Sequence, residues 1–254
     1  MKITNLNCRW PTRFFLFFLM LLLCGCPESP PPPQNFTEAK WILQKFIWKD
    51  EPVTVYCGAS YDENKNISLP EGFMSPVHEN RAYRMEWEHA VPAENFGRAF
   101  AAWREGHPEC VKNGKAYKGR RCAEKVSPVF RKMEADMYNL FPAIGAVNAA
   151  RSNKAYAELP GYDSSFGSCG AKYDEKHFEP PRRAKGMVAR ASLYMEKQYR
   201  EFRLSRQQRK LFTAWDLSYP PDKEECRRAA RIEKIQGNEN SVVKAACTRA
   251  GVAY

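Results

Sequence analysis

Apolar residues recur at helical spacing in TEAKWILQKFIWKD, where Trp41, Ile42 and Phe46 share a face and charged residues fill the rest. The pattern predicts a helix capped by Thr37. From Asp50 to Gly58 the period shortens to two, with Val53, Val55 and Cys57 alternating against Thr54 and Tyr56, which predicts a short strand ended by Gly58. Glu63 to Asn80 is rich in Asn, Pro and Gly and reads as loop. Alternation resumes with Tyr83, Met85 and Trp87 against Arg84, Glu86 and Glu88, a strand with one apolar and one charged face. His89 falls in the apolar register. Alternation therefore sends Glu88 and His89 to opposite sides, and they serve one site only if the backbone bends near Pro92.

Gly106 to Ser127 is loop-like and carries the cations Lys112, Lys115, Lys118, Arg120 and Arg121. Pro128 opens a predicted helix, VFRKMEADMYNL, which Asn139 to Pro142 breaks. A further helix, AIGAVNAARSN, places Asn148, Arg151 and Ser152 together on one face. The remainder is mostly helical: PRRAKGMVARASLYMEKQYR with Glu196 four residues before Arg200, SRQQRKLFTAW capped by Ser205 and Gln208, and KEECRRAARIEKIQ boxed by Asp222 and Glu225 before Gly237. With no internal repeat and no long linker past Phe36, residues 37–254 read as one mostly helical domain.

The first 25 residues read differently. Lys2, Arg9 and Arg13 precede the apolar run FFLFFLMLLL, ten residues long and followed by CGC, the layout of an export signal. Ten is well short of the roughly 20 that a spanning helix needs. Leu23-Cys24-Gly25-Cys26 resembles a bacterial lipobox, which makes Cys26 the candidate lipidation site, with a membrane as partner through the N-terminal anchor. Residues 26–36, with their proline run, read as a stiff spacer, the alternative being a disordered N-terminus after ordinary signal cleavage and a secreted product. Export to the periplasm or cell envelope follows. Without Cys8, Cys24 and Cys26 the chain keeps Cys57, Cys110, Cys122, Cys169, Cys226 and Cys247, an even set suited to disulfides. Proximity favours Cys110 with Cys122 and Cys226 with Cys247, leaving Cys57 with Cys169, although spacing alone does not decide among the connectivities. The leader removes three cations and no acids, so the net charge of +11 falls to +8. Nucleic acid, anionic lipid or an acidic polysaccharide are the partners such a surface attracts.

Of four histidines, His78 and His177 stand in loops without a partner at useful spacing, whereas His89 adjoins Glu88. No HExxH, CxxC, Gly-rich phosphate loop or GxSxG occurs, so zinc peptidases, nucleotide binders and serine hydrolases lack their motifs. A glutamate beside a histidine suits hard-cation binding next to a general base, with Asn148 as a second oxygen ligand. Alone, such a pair at a strand end is commonly structural.

MEWEHAVPAENFG and KMEADMYNLFPAIGAVNAARSN closely resemble the bacterial endonuclease I family, and the likeness continues through GHPECVKNGKAYKGRRCAEKV and EPPRRAKGMVARASLYM to LSRQQRKLFTAW. The resemblance implies an α+β fold: a mostly helical single domain with a small antiparallel sheet and a ββα-metal (His-Me) finger, braced by disulfides. It implies a metal-dependent, sequence-nonspecific endonuclease acting on DNA, and on RNA too, to leave 5′-phosphates. His89 matches the general base and Glu88 and Asn148 the ligands of Mg²⁺, for which Mn²⁺ or Ca²⁺ could substitute. Glu134 matches a position that relatives fill with an active-site acid or glutamine, its alternative being a surface helical glutamate. The phosphate-binding arginine falls on Arg120 or Arg121, with Arg120 favoured. Ala59 stands where many relatives have a cysteine, which implies one disulfide fewer. Lys118, Arg121 and Arg151, with Lys112, Lys115, Arg182 and Arg183, would track a phosphate backbone without reading bases. The competing class is a noncatalytic, membrane-tethered protein for DNA capture; a monomer is the default state.

Overall fold

The computed structural model describes residues 29–254; the segment expected to be an export signal and the candidate lipidation site Cys26 lie outside them. Its organising unit is β3 (Met85–His89) paired antiparallel with β6 (Leu140–Ile144), in the register Met85 opposite Ile144 and His89 opposite Leu140. Helix α6 (Gly145–Arg151) leaves directly from the end of β6. Around this strand–strand–helix unit lie α1 (Phe36–Ile42), α2 (Ala93–Gly97), α3 (Ala101–Arg104), α4 (Arg120–Val126) and α5 (Pro128–Glu134). The small pairs β1 (Ser60–Tyr61) with β2 (Ile67–Ser68) and β4 (Val111–Lys112) with β5 (Lys115–Ala116) are antiparallel. In the remaining sheet β9 (His177–Glu179) pairs parallel with β7 (Ala155–Tyr156) and antiparallel with β8 (Lys172–Tyr173).

The C-terminal part is a stack of long helices: α7 (Arg182–Gln198), α8 (Arg206–Ser218), α9 (Lys223–Gln236) and α10 (Ser241–Arg249). Ala184, Val188, Ala191 and Met195 recur at helical spacing and bury one face of α7, which packs lengthwise against α8. Asp222 caps α9 by accepting the Glu225 amide, and Ser205 caps α8 by accepting that of Gln208. The buried apolar residues form one cluster running from Ala39 to Cys247. Three disulfides brace it: Cys57–Cys169, Cys110–Cys122 and Cys226–Cys247.

Several predicted elements are redrawn. Helix α1 is capped not by Thr37 but by Asn35, whose side chain accepts the Glu38 amide while Gln34 N–H and Asn35 Nδ2 donate to the Glu38 carboxylate. It is α-helical only to Ile42 and continues as a π turn, Leu43–Ile47. The strand expected over residues 50–58 is a turn instead. Val53 makes one bridge to Ser60, Thr54 Oγ1 accepts the Ala59 amide, and Val55 N–H donates to Pro142 O.

The stretch 106–127 is not loop throughout: it holds the β4–β5 hairpin and α4. The helix predicted from Pro128 ends at Glu134, and the segment read as its break is β6. Pro142 is tolerated there because its carbonyl faces away from β3, towards Val55 N–H. The missing amide hydrogen belongs to that outward side, so no ladder bond is lost. Glu196 pairs with Arg209 rather than Arg200.

Candidate active site

Alternation holds along β3, and the chain bends at Ala90 and Val91, between the strand and Pro92, as the sequence reading required. Glu86 and Glu88, two residues apart, share one side of the strand, while His89 meets other neighbours. Glu88 is 4% exposed; its Oε1 accepts a hydrogen bond from Tyr56 Oη at 2.9 Å and lies 3.3 Å from Arg151 Nε. Tyr56 Oη also stands 2.8 Å from Tyr156 Oη. Burial raises Tyr56 well above the ordinary phenol value, so the hydroxyl keeps the proton it donates. Burial likewise pushes the Glu88 carboxyl up to about 7, against the pull of Arg151 and Tyr56.

His89 packs between Phe36, with ring centroids 4.8 Å apart, and Phe96, at 6.5 Å. Its Nε2 lies 2.9 Å from the Glu134 backbone oxygen. A carbonyl can only accept, so Nε2 carries the hydrogen and Nδ1 keeps a free lone pair. Burial, reinforced by the nearby Arg120 cation, holds His89 at about 3, which keeps the ring neutral at ordinary pH. The site therefore contains a fixed tautomer of a neutral base.

Glu134 reaches the same place with its side chain. It is 1% exposed, and its Oε1 accepts from Arg120 Nε. The second oxygen, Oε2, is buried without a hydrogen-bond partner. The surface alternative for Glu134 is thereby excluded. Arg120 is half exposed and lies 5.1 Å over the Phe36 ring, so His89, Phe36, Arg120 and Glu134 form one cluster. This cluster draws on α1, β3, α4 and α5.

Asn148, on α6, is partly buried and donates from Nδ2 to Glu86 Oε2 at 2.9 Å. Among the described residues no group of three or more His, Cys, Asp or Glu is placed to hold a metal. Arg121 lies over Tyr117, Lys118 is exposed near the hairpin, and the exposed Arg182 and Arg183 stand at the start of α7.

Arg151 corrects the sequence reading. It was expected to track a phosphate backbone, yet it is 1% exposed and faces inward from α6. It pairs with Glu88 and donates to the carbonyls of His89, Ala90 and Ser152, so its guanidinium tethers the strand end rather than meeting solvent. Phe36, Tyr56 and Glu86 were missed as site residues. The period of two offered a signal for Glu86, since it shares a face with Glu88. Phe36 and Tyr56 are brought in by tertiary packing alone.

A family model for endonuclease I matches residues 58–247. An extracellular deoxyribonuclease of Aeromonas hydrophila is 38% identical over 242 residues, covering 92% of this chain and 99% of that protein. A periplasmic deoxyribonuclease of Aeromonas hydrophila is 40% identical over 235 residues, covering 90% and 93%. Endonuclease-1 of Buchnera aphidicola subsp. Acyrthosiphon pisum (strain APS) is 38% identical over 221 residues, covering 84% and 82%. On a family model spanning most of the chain and relatives matched nearly end to end, this chain belongs to the endonuclease I family.

Proposed function

We propose that the chain is an exported, metal-dependent endonuclease that hydrolyses phosphodiester bonds of DNA, and of RNA as well, without sequence preference and with 5′-phosphate ends. The observation that carries this reading is the state of His89: neutral, with Nε2 committed to Glu134 O and Nδ1 left as the basic nitrogen, beside the cation Arg120. Nδ1 takes the proton of an attacking water. Arg120, oriented by Glu134 and with half its surface free, contacts the phosphate through its N–H donors. Phe36 and Phe96 keep bulk water from the ring's flanks.

The donor set fits a hard divalent cation. Glu88 accepts its hydrogen bond from Tyr56 at Oε1 and leaves Oε2 for an ion, and Asn148 spends Nδ2 on Glu86 and keeps its oxygen. Glu88 and Asn148 would hold the ion, Mg²⁺ by preference with Mn²⁺ or Ca²⁺ as substitutes. When bound it supplies positive charge to the phosphate and the leaving oxygen. In this reading β3, β6 and α6 are the ββα finger. The leader exports the domain, Cys26 carries a lipid that holds it at the envelope, and the protein works as a monomer.

Cleavage of supercoiled plasmid by the oxidised protein, with Mg²⁺ or EDTA, tests the proposal beside His89→Ala. The expected outcome is cleavage that requires metal and falls about 10²–10⁴-fold in the variant. Cleavage that survives both EDTA and the substitution would overturn it. Plasmid left intact by the wild-type protein, with binding retained in a gel shift, would instead make this a tethered DNA-capture protein.

A further inference from the structure

Among the side chains around Asn148, Glu86 stands out as fixed from three sides. Its Oε2 accepts from Asn148 Nδ2 at 2.9 Å, and Arg81 donates to both carboxylate oxygens, from Nε to Oε1 at 2.9 Å and from Nη2 to Oε2 at 2.5 Å. Behind it lies Gly145, the first residue of α6. A Cβ there would sit 2.7 Å from Glu86 Oε1 and 2.7 Å from Arg81 O, closer than real Cβ contacts allow. Gly145 thus opens the gap that lets the carboxylate come up against the helix carrying Asn148. Its own N–H donates to Arg84 O, tying the start of α6 to β3.

An asparagine amide has two ends of nearly equal shape and opposite function. The oxygen coordinates a hard cation; the NH₂ repels one. Packing barely distinguishes the two, so a ligand asparagine needs a neighbour that tells them apart. A carboxylate can only accept hydrogen bonds, and it therefore selects NH₂. We propose that Glu86 is a positioning residue that holds the Asn148 amide with its oxygen turned to the cation, while Arg81 locks Glu86 in place. The inference rests on the proposed role of Glu88 and Asn148 as ion ligands. It adds why that ligand can be an amide.

The substitution Glu86→Leu separates this from a packing role. Leucine has nearly the same volume but offers Asn148 no acceptor, so nothing holds the amide NH₂ away from the ion. Outer-shell partners of this kind change metal affinity about 10–100-fold. Mn²⁺ titration calorimetry on the disulfide-bonded protein should therefore show Glu86→Leu weakening binding by about 10-fold, the lower end of that range, with little change in metal-free melting temperature. In the Asn148→Asp background both ends of the ligand are oxygen and there is nothing to orient, so Glu86→Leu should cause no weakening. Glu86→Gln keeps an oxygen where Oε2 accepts from both Arg81 Nη2 and Asn148 Nδ2, and should bind Mn²⁺ nearly as the wild-type protein does. An equal loss in both backgrounds, or a loss in Glu86→Gln as large as in Glu86→Leu, would overturn the inference alone, because Glu86 would then act by charge or as a ligand itself. Unchanged Mn²⁺ binding in Glu86→Leu would also overturn it. Absence of Mn²⁺ binding by the wild-type protein would remove the metal reading and the inference together.

Discussion

Arg151 shows how one residue type can serve opposite purposes depending on which way its helix turns it. An exposed arginine near an active site would add phosphate affinity; this one is buried with Glu88 and caps the carbonyls at the end of β3. Its face is also covered by Tyr156, 4.5 Å from the guanidinium. Removing one partner of a buried ion pair leaves the other uncompensated, which costs about 3–5 kcal/mol. Arg151→Ala should therefore lower the melting temperature by roughly 10 °C in a domain of this size. DNA affinity of the protein that stays folded, measured in a His89→Ala background to prevent cleavage, should be unchanged. A variant that melts like the parent but binds DNA several-fold more weakly would restore the phosphate-tracking role to Arg151.

At the scale of elements, the N-terminal segment belongs to the site more than its composition suggests. Pro32, Pro33 and Gln34 lie along a cleft formed with Arg131, Lys132 and Tyr199, and Asn35 caps α1 so that Phe36, the helix's first residue, rests on His89. In the sequence the spacer reads as ending at Phe36, because a lone aromatic after four prolines carries no periodicity. The same limit hid two other elements. In β6 the proline reads as a breaker, and only its partner strand and Val55 reveal that its missing N–H is harmless. In α4 the inner face is just Cys122 and Ala123, too little apolar pattern to stand out among Arg120, Arg121 and Lys125. By contrast, β3 and α6 were legible, since each turns a long enough apolar face inward. The roles of His89, Glu88 and Asn148 were proposed from neighbouring residue types and from resemblance, which the local pattern alone would not support. The packing of α1 leads to an expected outcome for Phe36→Ala: plasmid cleavage falls at least about 10-fold through loss of a held, water-shielded ring. Asn35→Ala, which costs the cap about 1 kcal/mol, should move activity in the same direction by less. Single-turnover rates of both variants check this, and full activity in Phe36→Ala would detach α1 from catalysis.

For the whole molecule, the disulfides divide their work by the length of chain each closes. Cys110–Cys122 spans 12 residues and Cys226–Cys247 spans 21, so each steadies a local feature: the basic hairpin with α4, and the packing of α10 on α9. Cys57–Cys169 spans 112 and joins the turn beside Tyr56 to the segment before β8. Tyr56 in turn holds Glu88, so this bridge ties the β3 side of the site to the distant part of the chain. Loop-closure entropy gives a link over about 100 residues roughly 5 kcal/mol and one over about 15 residues roughly 3 kcal/mol. Replacing Cys57 and Cys169 together by serine should therefore lower unfolding free energy in urea by more than replacing Cys110 and Cys122, by about 2 kcal/mol. Thiol reduction of the wild-type protein, which opens all three, should abolish the cooperative transition and cleavage together. This would leave the chain inactive in a reducing compartment and active once exported and oxidised. If the two serine pairs proved equally costly, the long bridge would not be closing a loop that is open in the unfolded chain, and residual structure there would have to hold Cys57 near Cys169 already.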